Sequence, residues 1–357
     1  MTTGETVRGL AGADESAVRF RRIAVVGCGK RFSSAIAPAL VRLGVQPVLL
    51  VDPSPSALDD ALASLEANGR PFLAHKADEE TLREAGPDAV IIASPSGMHF
   101  RHASTALELG LAAYVEKPMT RTAKEGQRLV DTVDARAAQG TLARLSVSEQ
   151  RTYRPDLLFI RRLLQSGDFG ELRRVTYYDS IARTPHFAAS WRNDPDLAGG
   201  GVLFDLGYHT VATLHWLLCR EPCDARRFAV ECAWVWHGDL HVEEGARVVA
   251  VAAAVEVELT VRLDGHDGVG QERLTVEGSQ GSATLVRHRA KGSVSTLTLS
   301  RRSRSRTMAF DIDQRFDTES LRDFVRTSPR LAPAEQLPRH IRTLEFIEQA
   351  YAAAQGG

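Results

Sequence analysis

The run Arg22-Ile23-Ala24-Val25-Val26 passes without a break into Gly27-Cys28-Gly29-Lys30-Arg31-Phe32, and Ala35 to Leu43 then shows helical spacing. An apolar, β-branched run of this kind is buried on both faces, as the strands of parallel sheets are. Gly27 permits a tight turn, and Gly29 lets the backbone approach a pyrophosphate held at the positive end of the helix. A chain that opens this way is committed to alternating strands and helices. Phe32 stands where a third glycine is expected, so the glycine pattern is incomplete. Lys30 and Arg31 either help to neutralise phosphate or face solvent. Pro38 sits near enough to the predicted helix start to be tolerated in a first turn.

The next strand, Pro47 to Val51, ends at Asp52, 25 residues after Gly27. That offset suits a carboxylate accepting hydrogen bonds from an adenosine ribose, and its charge would repel a 2′-phosphate, which predicts NAD rather than NADP. The alternative is an aspartate that caps the following turn. Ser56 to Asn68 reads as a helix and Asp88 to Ala93 as a buried strand, opening into Ser94-Pro95-Ser96-Gly97-Met98-His99. Loops at the carboxyl ends of strands are where open α/β sheets bind ligands. A helix over 100–110 leads to Ala112-Ala113-Tyr114-Val115 and an abrupt Glu116-Lys117-Pro118; a helix over 121–138 and a strand over 142–147 follow. The pattern predicts a doubly wound parallel sheet with right-handed crossovers.

Lys117 stands out through composition. Of 44 Lys and Arg, five are lysine and 39 arginine, so a plain cation in this chain is an arginine. Arginine keeps its proton in a protein, whereas a partly buried lysine can have its pKa moved. Lys117 is therefore a candidate for proton chemistry, against the alternative of an ordinary strand-end lysine.

After residue 150 the pattern changes. A helix runs from Pro155 to Ser166, a strand starts at Arg173, and the irregular stretch 183–200 carries His186, Trp191 and Arg192. Gly199-Gly200-Gly201 precedes Val202 to Leu214, in which Asp205 and His209 are four apart and share one face of a helix. They are either a satisfied buried pair or a carboxylate holding an imidazole in the tautomer a general base requires. Beyond Arg226 the chain is strand-rich. Val255 to Leu263 alternates as a half-solvated antiparallel strand should, Arg273–Gly278 and Gly281–Leu285 read as a hairpin, and helices over Glu319–Thr327 and Pro338–Ala354 close the chain.

At 357 residues the chain suits two domains. The division expected is a flexible extension over 1–20, a dinucleotide-binding domain over 21–147, and a substrate-binding and oligomerisation domain over 148–357. A net charge of -1 argues against nucleic acid or a membrane surface as the main partner. Arg301 to Arg306 reads as a solvated strand end, with contact to an anionic substrate or a neighbouring subunit as the alternative. Four cysteines form no disulfide framework and no zinc-like spacing, which suits the cytoplasm, and no metal site is expected. Residues 1–20 lack the apolar core of a signal peptide.

Over about residues 20–355 the chain resembles the Gfo/Idh/MocA oxidoreductases. The blocks that carry the resemblance are Gly27–Gly29, Ser94-Pro95 with His99, Glu116-Lys117-Pro118, Gly199-Gly200-Gly201 and Asp205-x3-His209, in that order. It implies a Rossmann domain followed by an α+β domain with a large, mainly antiparallel open sheet, through which such proteins form dimers or tetramers. It also implies hydride transfer between a nicotinamide cofactor and a ring secondary alcohol of a sugar, nucleotide sugar or aminocyclitol, as in amino-sugar or antibiotic assembly. Carried over by position, Lys117, Asp205 and His209 are the catalytic group, with His209 as base and Asp205 orienting it. Gly27, Gly29, Lys30, Arg31, Phe32, Asp52, Ser94, Pro95, His99, Glu116 and Lys117 face the cofactor. Arg151, Tyr153, His186, Trp191 and Arg192 join Lys117, Asp205 and His209 around the substrate. Pro118 is expected to set the backbone, as a cis peptide in relatives, and Glu116 to lie near the nicotinamide ribose. Ala212, where many relatives carry an aspartate, points to a pocket unlike that of inositol dehydrogenases. Two other activities are compatible with the fold: a redox-assisted glycosidase, which would normally add a manganese cluster not found here, and a non-catalytic NAD-binding regulator.

Overall fold

The computed structural model describes residues 20–65, 71–140, 144–184, 187–218, 228–264, 270–289, 294–301, 304–312, 316, 318–326 and 333–355. In the first part of the chain the elements are β1 (Ile23–Val26), α1 (Ala37–Leu43), β2 (Pro47–Val51), α2 (Pro55–Ser64), β3 (Phe72–Ala74), α3 (Glu79–Ala85), β4 (Ala89–Ile92), α4 (His99–Glu108), β5 (Ala112–Val115), α5 (Ala123–Ala138) and β6 (Leu145–Val147). The six strands pair in the order β3-β2-β1-β4-β5-β6, all parallel. The strand order reverses direction between β1 and β4, the point at which such sheets leave a crevice at their carboxyl ends. Strands β1, β4 and β5 are buried at every residue, because helices cover both faces.

The first helix differs from its expectation. Helical structure starts at Lys30, and Phe32–Ile36 forms a π-helical turn that runs straight into α1. The Ala37 N–H reaches back to the Phe32 carbonyl, five residues away, immediately before Pro38. Proline has no N–H and its ring crowds the carbonyl four residues earlier, so a wider turn takes it inside the helix. Likewise Pro338, expected to open the last helix, lies within it.

The rest of the chain contributes α6 (Pro155–Gln165), β7 (Leu172–Ala182), α7 (Pro195–Ala198), α8 (Val202–Leu218), β8 (Phe228–Trp236), β9 (Gly245–Ala252), β10 (Val255–Asp264), β11 (Gln271–Gly278), β12 (Ser282–His288), β13 (Val294–Arg301), β14 (Arg304–Asp311), α9 (Glu319–Val325) and α10 (Pro333–Gln355). Eight strands form one open sheet, ordered β14-β13-β12-β11-β7-β10-β9-β8. Every pairing is antiparallel except β7 with β10. The alternating strand expected over Val255–Leu263 is thus antiparallel to β9 on one side and parallel to β7 on the other. Alternation reports which face is buried and carries no information about the partner's direction.

Packing does not follow chain order. Leu321, Phe324 and Val325 of α9 share a core with Ile23, Val25, Phe32 and Tyr114 of the first sheet and its helices. The rings of Phe20 and Tyr114 lie against Phe324, and Tyr114 hydrogen-bonds Ser320 at 2.7 Å. α10 packs along both α5 and α8, joining the two sheets. Among the described residues no helix is long and apolar enough to cross a membrane.

Candidate active site

Gly27 has φ +95°, and a side chain there would overlap the backbone of Ala93 and Ser94. The glycine lets the loop after β1 lie against the end of β4. Nothing stands within 4 Å of a side chain built at Gly29, so the space above that turn is open. Asp52 closes the turn from β2, its Oδ2 accepting the Cys28 N–H at 2.8 Å and its Oδ1 the Ser54 N–H at 2.9 Å. These residues form a cradle that fits a dinucleotide: free space over Gly29, helical N–H groups beyond it, and a carboxylate at the end of β2. Lys30 is exposed at the rim, and Arg31 pairs with Glu116 at 2.7 Å.

Two residues expected at the cofactor keep their side chains away from this open space. Phe32 is buried completely in the core between β1 and α1 and offers its side chain to no ligand. His99 is buried too, with one ring nitrogen 2.6 Å from the Pro118 carbonyl and the other 2.8 Å from the Ser94 carbonyl. Burial keeps the imidazole neutral, so it donates to one carbonyl at a time and acts as a staple between the loops after β4 and β5. Ser94 hydrogen-bonds His102 at 3.0 Å, and the Pro95–Met98 turn packs on α7 through Gly97.

β5 delivers Glu116 and Lys117 to the sheet's carboxyl end, and the Lys117–Pro118 bond is cis. α8 presents Asp205 and His209 one turn apart. Lys117 Nζ donates to Asp205 Oδ1 at 2.5 Å and to the Asp205 carbonyl at 3.2 Å. Arg192 Nε reaches Asp205 Oδ2 at 3.4 Å, and its guanidinium lies over the Trp191 ring. Burial alone would raise the Asp205 pKa, but Lys117 and Arg192 override it and hold the carboxyl at about 2.

The expected Asp205–His209 pair does not form. Among the described residues the His209 ring has no hydrogen-bond partner, and Asp205 is occupied by the two cations. His209 is pushed well below its ordinary pKa, first by burial and then by Lys117, Arg151, Arg31 and Arg289. It is a neutral imidazole with a lone pair free to accept a proton.

Arg151 lines the same cleft as Lys117 and His209. It donates to the Tyr177 hydroxyl at 2.9 Å and to Asp179 at 2.5 Å, and Asp179 also accepts from Arg289 at 2.7 Å. Tyr177 donates to Glu272 at 2.5 Å, which receives Arg154 in a fork; Arg154 also grips Asp156. Three arginines and three acids thereby neutralise one another at the buried end of the second sheet, the arrangement that offsets the cost of desolvating each. Tyr153, expected at the substrate, instead donates to Asp323 at 2.9 Å just beneath α9. His186 lies outside the described residues.

Residues 21–142 match the NAD-binding Rossmann domain of the Gfo/Idh/MocA oxidoreductase family, and residues 157–284 match that family's C-terminal domain. The chain belongs to the Gfo/Idh/MocA family. A protein of Amycolatopsis mediterranei named for the oxidoreductase subunit of UDP-kanosamine synthase is 30% identical over 74% of this chain and 74% of its own length. The scyllo-inositol 2-dehydrogenase (NADP(+)) IolW of Bacillus subtilis is 36% identical, over 38% of this chain and 37% of the relative. KijD10, a 3-ketoreductase of Actinomadura kijaniata solved with NADP and TDP-benzene, superposes with a TM-score of 0.76 at 19% identity, covering 93% of this chain and 97% of that one. WlbA from Bordetella pertussis, solved with NADH and UDP-GlcNAcA, gives 0.75 at 20% identity, covering 95% and 98%. At these identities the two structures speak for the fold, and it is the fold found here.

Several residues around this cleft are not legible from motifs. Glu149 and Gln150 line the cleft from the loop after β6, and their place at the carboxyl end of a strand is a signal that could have found them. Asp179, Arg289 and His340 come from distant elements with no motif around them.

Proposed function

We propose that the chain is an NAD-dependent dehydrogenase of a ring secondary alcohol, or the reductase of the matching ketone, with a sugar, nucleotide sugar or (amino)cyclitol as substrate. The observation that carries this reading is the shared cleft of Lys117 and His209, with Asp205 clamping the lysine. A bound nicotinamide supplies the hydride acceptor or donor. Gly27, Gly29 and Asp52 would hold the dinucleotide, with Lys30 and Arg31 at the phosphates and Glu116 toward the nicotinamide side. NAD is favoured over NADP because Asp52 places a carboxylate at the end of β2. The family supports either cofactor.

In oxidation the hydroxyl proton passes to neutral His209, while Lys117 donates a hydrogen bond to the same oxygen and stabilises its developing charge. Asp205 keeps the lysine ammonium in place and charged. Trp191 and Arg192 wall the substrate side, and Arg151, locked by Asp179, presents a fixed donor. Ala212 in the cleft wall supports a pocket unlike that of inositol dehydrogenases.

The test is reduced-nicotinamide absorbance with NAD and a panel of ring polyols and nucleotide sugars. Replacing His209→Asn should lower turnover by about 10²–10⁴-fold, the usual contribution of a general base, with cofactor affinity little changed. Wild-type turnover in that variant removes His209 from the chemistry.

Assembly through the open face of the second sheet completes the reading. Trp234 and Trp236 of β8 stand 50% and 37% exposed there, with Arg247 and Arg262 over their rings. A sedimentation coefficient of a monomer at micromolar concentration would exclude it.

A further inference from the structure

Lys117 and His209 share a narrow cleft with Glu149, from the loop after β6, and His340 of α10, and Tyr208 and Thr213 also line it. Glu149 and His340 are more than nine-tenths buried, at 6% and 0% exposure. Arg339 holds Glu149 Oε2, while among the described residues Oε1 has no hydrogen-bond partner. The Tyr208 hydroxyl accepts the Met119 N–H at 3.4 Å and lies 2.9 Å from His340 Nδ1. When the Tyr208 hydroxyl gives its one hydrogen to Nδ1, the hydrogen of the neutral ring stands on Nε2. Among the described residues Nε2 has no hydrogen-bond partner, and Glu149 Oε2 is 4.0 Å away. Two residues with unpartnered buried polar atoms, Glu149 and His340, thus line a space about the size of one water molecule.

The charges around this space give it a direction. Asp205 is engaged by Lys117 and Arg192, and Asp179 by Arg151 and Arg289. Glu149 is the carboxylate lining the cleft that keeps an oxygen open. Its charged and titratable neighbours are Arg339 and His340 from α10, Tyr208 and His209 from α8, Lys117 from the end of β5, and Arg151 and Tyr153 from the turn that follows it. An imidazolium at His209 would sit among Lys117, Arg151, Arg31 and Arg289, which disfavours its charge.

We propose that the cleft is an internal proton relay, in which a water bridging Glu149 Oε1 and His340 Nε2 passes the proton from His209 to the Glu149 carboxylate. The relay rests on the dehydrogenase reading. In oxidation the carbinol C–H leaves as hydride and the O–H as a proton; His209 takes that proton, hands it to the bridging water, and returns to the neutral form as Glu149 becomes protonated. Reduction of a ketone runs the same path backwards. In this relay Glu149 and His340 act only through His209.

Crystallography of the full chain tests the water without any substrate. Ordered solvent within hydrogen-bonding distance of both Glu149 Oε1 and His340 Nε2 is expected, and a dry cleft overturns the relay. Kinetics test the path, with scyllo-inositol or D-xylose as the probe. Glu149→Gln should lower turnover about tenfold, flatten the pH profile of kcat and raise the solvent deuterium isotope effect, with Glu149→Asp restoring most of the rate. A Glu149→Gln enzyme that melts like the wild type and keeps its pH profile overturns the relay and leaves the dehydrogenase standing. A wild type silent on the whole panel of ring polyols and nucleotide sugars removes the dehydrogenase, and the crystallographic water alone then decides whether Glu149 and His340 are bridged.

Discussion

At Asp205 two partners compete for one carboxylate, and the outcome explains what spacing could and could not reveal. Four residues along a helix put His209 on the same face, so sequence alone pairs them. In the folded chain the ammonium of Lys117 arrives from another element and wins, because a charge-assisted bond outweighs one to a neutral imidazole. The nearness of Lys117, Asp205 and His209 was therefore legible, and their internal wiring was not. The side chains of Phe32 and His99 were illegible for a related reason: both stand inside motifs expected at the cofactor, yet one fills the core and the other ties two loops. Asp52 carries the prediction at this scale. Asp52→Ser removes the charge that opposes a 2′-phosphate, so the ratio of kcat/KM for NAD over NADP should fall by about tenfold or more. An unmoved ratio would leave Asp52 as a brace for the Cys28 and Ser54 amides alone.

The helix that holds the site, α8, is legible as a long apolar segment after three glycines, but what fixes its start is remote. Glu243 Oε2 accepts the Gly201 N–H at 2.7 Å and Oε1 the Leu203 N–H at 3.0 Å, while the Tyr351 hydroxyl donates to Oε1 at 2.7 Å. A buried carboxylate thus satisfies the free amides at the positive end of α8. Gly201 is needed because a side chain there would run into Glu243 itself. Glu243→Ala should cost about 2 kcal/mol in urea unfolding and also lower turnover, since Asp205 and His209 lie within the next two turns. An unchanged unfolding midpoint would show that the cap is redundant. Elements of the first sheet were readable because each strand is an unbroken apolar run. The parallel pairing of β7 with β10 was not, because two strands separated by α7, α8, β8 and β9 are brought together only by tertiary packing.

Across the whole molecule, histidines are buried neutral at points far apart. Burial, ahead of nearby cations, depresses His102 and His340 to about 4 and His215 to about 3. The unfolded chain titrates these groups near 6.5, so between pH 6.5 and about 4 it binds protons that the folded chain refuses. Stability should therefore be full above pH 6.5 and fall as pH is lowered through that window. Thermal unfolding at pH 7.5 and 4.5 checks this, with a loss of at least about 5 °C expected; a flat Tm would mean that these rings protonate in place. The two-layer plan was visible in sequence through the change from helix-strand alternation to strand-rich pattern near residue 150. The return of α9 to the first core was not, as its apolar residues look like any amphipathic helix. That return has a consequence for synthesis. Strand β1 leaves the ribosome nearly 300 residues before Leu321 and Phe324, so the Rossmann core is made with one wall missing. Until α9 emerges, the nascent chain must carry an uncovered apolar patch over Tyr114 and Ile23, a surface that invites chaperone capture and ties completion of the first domain to translation of the last.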